Sequence, residues 1–375
     1  MIYLDHAATT PVCAAAVQAA VEAMTEGFGN PSSGYPLGKA AAQRRESDRS
    51  VIAKALGCLP EELFFTSCGT EGDNWAISAA LQLNRRKGNH IVTTAIEHSA
   101  VLEPIKALQS QGYEVTFLSP DKTGRIAPEA VSSAIRPDTV LVSMMLVNNE
   151  LGTIFPVQAA ADAIKAAGSP ALLHVDAVQG FLKVPFTPKE LGADFIAICG
   201  HKIRAPKGVG ALYIKKELIS KVKPLLLGGG QERGLRPGTE ATAQIAAFAA
   251  AVGSWTSETA SHIRAVKDYA ADKLSALEGV ELISRGDAPH ILAISLPGYP
   301  SEPVVRSLGD RGICISSGSA CHRGKPSHVF AALGLPPRVL MGVLRISFGP
   351  DSTIDEVDVL TNALAEIRKS LVSGR

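Results

Sequence analysis

Short, wholly apolar runs alternate along much of the chain with Ala-rich stretches in which apolar residues recur every three or four positions. The runs at 63–66, 90–95, 115–118, 140–147, 171–175, 195–198 and 211–214 are continuous rather than alternating, which predicts strands buried on both faces. The intervening stretches at 14–26, 74–86 and 159–167 predict amphipathic helices. Strands separated by helices imply right-handed crossovers and a mostly parallel, seven-stranded sheet with helices on both faces, an α/β fold. The alternation lapses at 224–238, which is rich in Gly and Pro. A long helix over 239–276 is expected to follow and to lead into a smaller α+β unit. The expected division is a large domain at 13–255 and a small domain at 256–375, joined by residues 1–12.

Composition narrows the function. Of the 375 residues, 46% are hydrophobic and 19% charged, which suits a well-buried globular chain. The net charge of +1 excludes a broad electrostatic footprint for nucleic acid or an anionic membrane. The first residues, Met1-Ile2-Tyr3-Leu4-Asp5-His6, lack the basic and apolar regions of a secretory signal. The apolar stretch 241–255 is too short to cross a bilayer. Six cysteines without C-x-x-C spacing read as free thiols in a reducing compartment, so a cytoplasmic protein is expected.

Ligand sites on such sheets collect outside the carboxyl ends of the strands. Five of the expected strands end in polar residues: Ser67-Cys68-Gly69-Thr70, Glu97-His98, Asn148-Asn149-Glu150, Asp176 with Gln179, and Cys199-Gly200-His201-Lys202. The loop before Thr70 opens a helix, so Thr70 either caps it or leaves its free N–H groups to an anion. Dinucleotide and nucleotide-triphosphate loops do not fit, because Gly228-Gly229-Gly230 is followed by Arg233 where a third glycine is needed and no G-x4-G-K-[ST] occurs. Asp176, at the end of an apolar run, needs a cation. An Arg or Lys is one candidate and the pyridinium of pyridoxal phosphate another. His98 is either a capped loop histidine or a ring lying on an aromatic ligand. His174 and Asp176 have no third residue spaced to complete a metal site, so no metal is expected. Lys202 is either a solvated surface residue or a desolvated amine able to form a Schiff base.

Across nearly its whole length the sequence resembles the cysteine desulfurases of the NifS/IscS type, which are class V aminotransferases with the fold-type-I architecture of pyridoxal-phosphate enzymes. The resemblance is carried by Tyr3-Leu4-Asp5-His6-Ala7-Ala8-Thr9-Thr10-Pro11, Gly29-Asn30-Pro31-Ser32-Ser33, Phe65-Thr66-Ser67 with Thr70-Glu71, and Glu97-His98-Ser99-Ala100. It continues through Val147-Asn148-Asn149-Glu150, His174-Val175-Asp176-Ala177-Val178-Gln179, Gly200-His201-Lys202, Gly228-Gly229-Gly230-Gln231-Glu232-Arg233-Gly234 and Ser316-Ser317-Gly318-Ser319-Ala320-Cys321.

The resemblance implies a pyridoxal 5'-phosphate cofactor held covalently by Lys202, which also moves the substrate's Cα proton. It implies that Asp176 pairs with the ring nitrogen, that His98 stacks on the ring, and that Asn149 and Gln179 address the ring hydroxyl. Gly69, Thr70, Cys199 and His201 would surround the phosphate, with Thr239 reaching across from the second subunit of a homodimer. Arg345 would clamp the carboxylate of L-cysteine, with Asn149 beside it. Cys321, in the small domain, would take the sulfur as a persulfide and pass it to an acceptor protein such as an iron–sulfur scaffold, leaving L-alanine. A selenocysteine lyase and a non-catalytic scaffold that kept the fold are the alternatives. Three positions depart from the family pattern. Cys199 stands where a phosphate-binding serine is usual, Tyr35 where a histidine is usual, and Cys68-Gly69 replaces the usual small pair. The segment from Cys321 to Pro326 also looks shorter and more basic than in IscS-like members.

Overall fold

The computed structural model describes residues 1–317 and 327–372. Among these the strands are β1 (Ile2–Tyr3), β2 (Leu63–Thr66), β3 (His90–Thr94), β4 (Glu114–Leu118), β5 (Thr139–Met145) and β6 (Leu172–Asp176). They continue as β7 (Phe195–Cys199), β8 (Gly210–Ile214), β9 (Glu281–Ser284), β10 (Ile291–Ser295), β11 (Ile313–Cys314) and β12 (Val343–Ser347). The seven apolar runs form one sheet in the order β2-β8-β7-β6-β5-β3-β4. Its pairs from β4 to β7 are parallel, whereas β8 lies antiparallel to both β7 and β2. The reversal has a local cause. No crossover helix separates β7 from β8, only a loop with the short turn Gly200–Lys202, so the chain returns beside the strand it has just left.

Both faces of this sheet are covered, which is why its strands read as continuous apolar runs. Phe64, Phe195 and Ala197 pack with Trp75, Ala76 and Ala80 of the helix Gly69–Leu83 on one side. Their chain neighbours Leu63, Phe65, Ile196 and Ile198 join Ile52, Phe181 and Phe248 on the other. A second core gathers Leu4, Ile263, Leu274, Leu292, Leu344, Phe348 and Leu364 around the antiparallel sheet β9-β10-β12.

The long helix expected over 239–276 is two helices, Thr242–Gly253 and Ser257–Ser275. Thr256 N-caps the second, its hydroxyl accepting from Thr259 N, and Trp255 sits between them. The indole donates from Nε1 to Ile203 O at 3.0 Å and packs against both cores, so the break anchors the junction. No helix among the described residues is long and apolar enough to cross a membrane.

The first ten residues start in the second core and finish at the first. β1 pairs in parallel with β11, and Asp5 bridges to Ser347 of β12. From there Asp5 to Thr10 run across the carboxyl ends of the central strands, where Thr10 N donates to His201 O at 3.0 Å.

Candidate active site

The five polar strand ends converge. Gly69, Thr70, His98, Asn149, Asp176, Gln179, Cys199, His201, Lys202 and Arg345 all line one cavity of about 310 Å³. Thr239 does not. It is exposed on the segment before the helix Thr242–Gly253. Cys321 lies outside the described residues. The chain on either side of its segment is tied to the cavity: Ser316 and Arg345 exchange backbone hydrogen bonds of 3.1 and 2.7 Å, and Ser327 Oγ donates to Glu150 Oε1 at 2.7 Å.

One end of the cavity is built for an anion. The helix Gly69–Leu83 begins there, and its N-cap, Cys68, makes no side-chain hydrogen bond to the first turn. Thr70 stands inside the helix and lines the cavity, so it is not the cap. The first-turn N–H groups and the positive end of the helix dipole are therefore open to a ligand phosphate. Gly69 has no room for a side chain, since a Cβ there would meet Val178 Cγ2 at 2.6 Å. Cys199 and His201 stand beside it. Burial pushes the Cys199 thiol up to about 11 and the His201 imidazole down to about 3, so both are neutral at ordinary pH.

A carboxylate and an amine occupy the middle. Asp176 is 6% exposed, and its Oδ1 accepts from Val178 N at 2.9 Å. Burial pushes its carboxyl up, while His98 and Lys202 pull the other way, so a cation at its face would restore the charged form. Lys202 Nζ donates to Ala7 O and Ala8 O, both at 2.7 Å. Desolvation brings its amine down to about 8. Asp73, a turn into the helix, is also buried, and burial with Asp176 nearby holds its carboxyl well above the usual range.

His98 both caps and faces the cavity. Its Nδ1 accepts from Ala100 N at 3.1 Å, N-capping the helix Ser99–Ser110 and placing the ring hydrogen on Nε2. At the far side Arg345 donates from Nη1 to Asn149 O at 3.0 Å and from Nη2 to Asp5 Oδ1 at 2.9 Å. Its Nε and Asn149 Oδ1 are buried without a hydrogen-bond partner, which leaves capacity for a polar ligand.

The cavity is also lined by residues to which the sequence reading gives no role: Ala7, Ala8 and Glu150, which lie within the quoted motifs, and Asp73 and His328, which do not. Ala7 and Ala8 act through carbonyl oxygens, so no side chain advertises them. His328 reaches Glu97 O from Nε2 at 2.9 Å, a contact across 231 positions with no local pattern.

A helix N-terminus with no side-chain cap, a buried carboxylate, a buried amine and a guanidinium fit pyridoxal phosphate bearing an amino-acid substrate. The sequence pattern of the family described as aminotransferase class-V matches residues 2–360. A cysteine desulfurase IscS from Methanosarcina thermophila is 40% identical over 380 residues, covering 99% of this chain and 92% of the relative. Among solved structures, a NifS-like protein superposes with a TM-score of 0.91 at 35% identity, covering 98% of this chain and 99% of its own. One described as SspA in complex with cysteine gives 0.83 at 32%, covering 94% and 100%.

Proposed function

We propose that this chain, which belongs to the aminotransferase class-V family, is a pyridoxal-phosphate-dependent cysteine desulfurase. It converts L-cysteine to L-alanine and stores the sulfur as a persulfide on Cys321 for an acceptor protein, such as an iron–sulfur scaffold. The observation that carries this reading is that Lys202, Asp176 and Arg345 line a single cavity opened by an uncapped helix N-terminus.

When bound, pyridoxal phosphate supplies an electron sink that makes the Cα proton of an attached amino acid acidic. The chain's own residues do the rest. The first turn at Gly69 and Thr70, with Cys199 and His201, would hold the phosphate. Asp176 would pair with the ring nitrogen, His98 would lie against the ring, and Asn149 and Gln179 would address its hydroxyl. Lys202 would hold the cofactor covalently, and its low-titrating amine would take the substrate's Cα proton and return it. Arg345 grips the substrate carboxylate. The Cys321 thiolate then attacks the substrate sulfur: an S–S bond forms, the Cβ–S bond breaks, and its electron pair stays with the carbon fragment. That fragment gains a proton and leaves as alanine. Covalent storage on Cys321 divides one hard transfer into two easier ones.

The working unit is a homodimer in which Thr239 reaches the partner's phosphate site. Val17, Val21, Met24 and Phe28 are 44–66% exposed around the helix Ala14–Thr25, which supports burial of this face by a second copy. Residues 13–255 and 256–375 with 1–12 act as the large and small domains, meeting at Trp255. The five described cysteines are free thiols, which supports a cytoplasmic setting.

The test is chemical. Purified protein given L-cysteine and a thiol reductant is expected to release alanine and sulfide in equal amounts. Cys321→Ala is expected to keep the cofactor's visible absorption and release no sulfide. Full turnover by that variant overturns the reading, as does wild-type protein that takes up no pyridoxal phosphate.

A further inference from the structure

His290 immediately precedes β10, is fully buried, and its backbone oxygen accepts from the N of Phe348, a residue of the second core, at 2.9 Å. Its side chain reaches toward the cavity: Nε2 lies 3.1 Å from Oε1 of Gln179. Gln179 in turn donates from Nε2 to Ala7 O at 2.9 Å, the same oxygen that accepts from Lys202 Nζ.

These contacts fix every proton in the chain of bonds. Ala7 O is a carbonyl and only accepts, so the amide nitrogen of Gln179 must face it. Its oxygen then faces His290, and that oxygen also only accepts, so the hydrogen must sit on His290 Nε2. Nδ1 is buried without a partner, and a second proton there would be an unsatisfied donor. Burial, followed by Lys183, Lys267, His6 and Arg345, holds the imidazole well below its usual range, so the ring is neutral. One amide hydrogen of Gln179 remains uncommitted. A flipped amide would offer the cavity an oxygen instead.

We propose that His290 is a positioning residue: as the neutral Nε2–H tautomer it holds the Gln179 oxygen while Ala7 O holds the nitrogen, and the two together keep the amide presenting an N–H, not a C=O, to the cofactor's ring oxygen. The inference rests on the reading that pyridoxal phosphate fills the cavity. A donor at that oxygen stabilises its anionic form and weakens its hold on the neighbouring Schiff-base proton. Losing the donor raises the pH at which the visible band changes.

The experiment is a pH titration of that band in wild-type, His290→Leu and His290→Asn holoenzyme. Asparagine keeps an N–H to donate and leucine does not. Leucine is expected to raise the midpoint by about one unit, the size of a hydrogen bond to a charged oxygen, and asparagine to restore it. Equal midpoints in wild type and His290→Leu overturn the proposal, as does a His290→Asn midpoint displaced as far as leucine's. Independently of any variant's folding, imidazole nitrogen-15 spectra of the wild-type protein are expected to report the Nε2–H tautomer from about pH 6 to about pH 9. An Nδ1–H tautomer or an imidazolium in that range overturns it. A wild-type protein with no visible band refutes the cofactor reading, while the nitrogen spectra still decide the tautomer.

Discussion

Two carbonyl oxygens accept from Lys202, which favours the ammonium form, yet its amine titrates near 8 because desolvation is the larger effect. The sign of the consequence is definite. Below that pH the group is an inert cation; above it, a nucleophile. Cofactor-free protein is expected to capture added pyridoxal phosphate at a rate that climbs with pH and levels off above about 8. Stopped-flow absorbance reads this, and a rate still climbing toward pH ~10, as for a solvated lysine, would contradict it. Lys202, Asp176 and His98 are legible in the sequence because their chemistry is in their side chains and they stand at or soon after strand ends, whereas Arg345, in the middle of β12, is legible only through the family resemblance. Ala7, Ala8 and His290 are not, because a backbone carbonyl has no signature and a tautomer depends on partners far along the chain.

Among the elements, the seven central strands are readable because each is apolar on both faces, so even short runs stand out. The helix Pro36–Leu56 is not readable in the same way. Its buried residues include Asp48 and Arg49, so apolar spacing understates the face it packs. Arg49 instead forms a fork with Glu232, with contacts of 2.8 and 2.6 Å, both side chains nearly sealed from water. Glu232 also accepts from Phe65 N at 2.8 Å, so one carboxylate joins the helix, the strand β2 and the glycine-rich loop. Glu232→Ala leaves the buried Arg49 guanidinium with only Glu46 and Leu63 O as partners, and leaves Phe65 N without its acceptor. It is expected to lower unfolding stability by about 3 kcal/mol, measured by denaturant titration. A loss under about 1 kcal/mol would place that pair among the solvent-screened ones. The break at Trp255 escapes apolar periodicity for a related reason: a cap and an indole hydrogen bond set it, and hydrophobic spacing runs straight through.

Across the whole molecule, the cavity is where the two cores meet, and residues 1–10 tie them together. Asp5 holds Arg345, Ala7 and Ala8 hold Lys202, and Thr9 Oγ1 lies 3.2 Å from His201 Nδ1. Protein lacking residues 1–10 is expected to keep the far-ultraviolet signal of the central sheet and to lose the visible band of bound cofactor. Retention of that band at wild-type intensity would show the tie to be dispensable. The arrangement also sets an order of events during synthesis. Ala7 N donates to Ser347 Oγ, a partner 340 positions later. At ribosomal speeds of about 5–20 residues per second, the leading residues wait roughly 20–70 s for that partner. A nascent chain that has passed Lys202 but not Arg345 and Ser347 therefore has its lysine but no finished pocket, and reactive sulfur chemistry cannot begin on the ribosome before those residues have emerged.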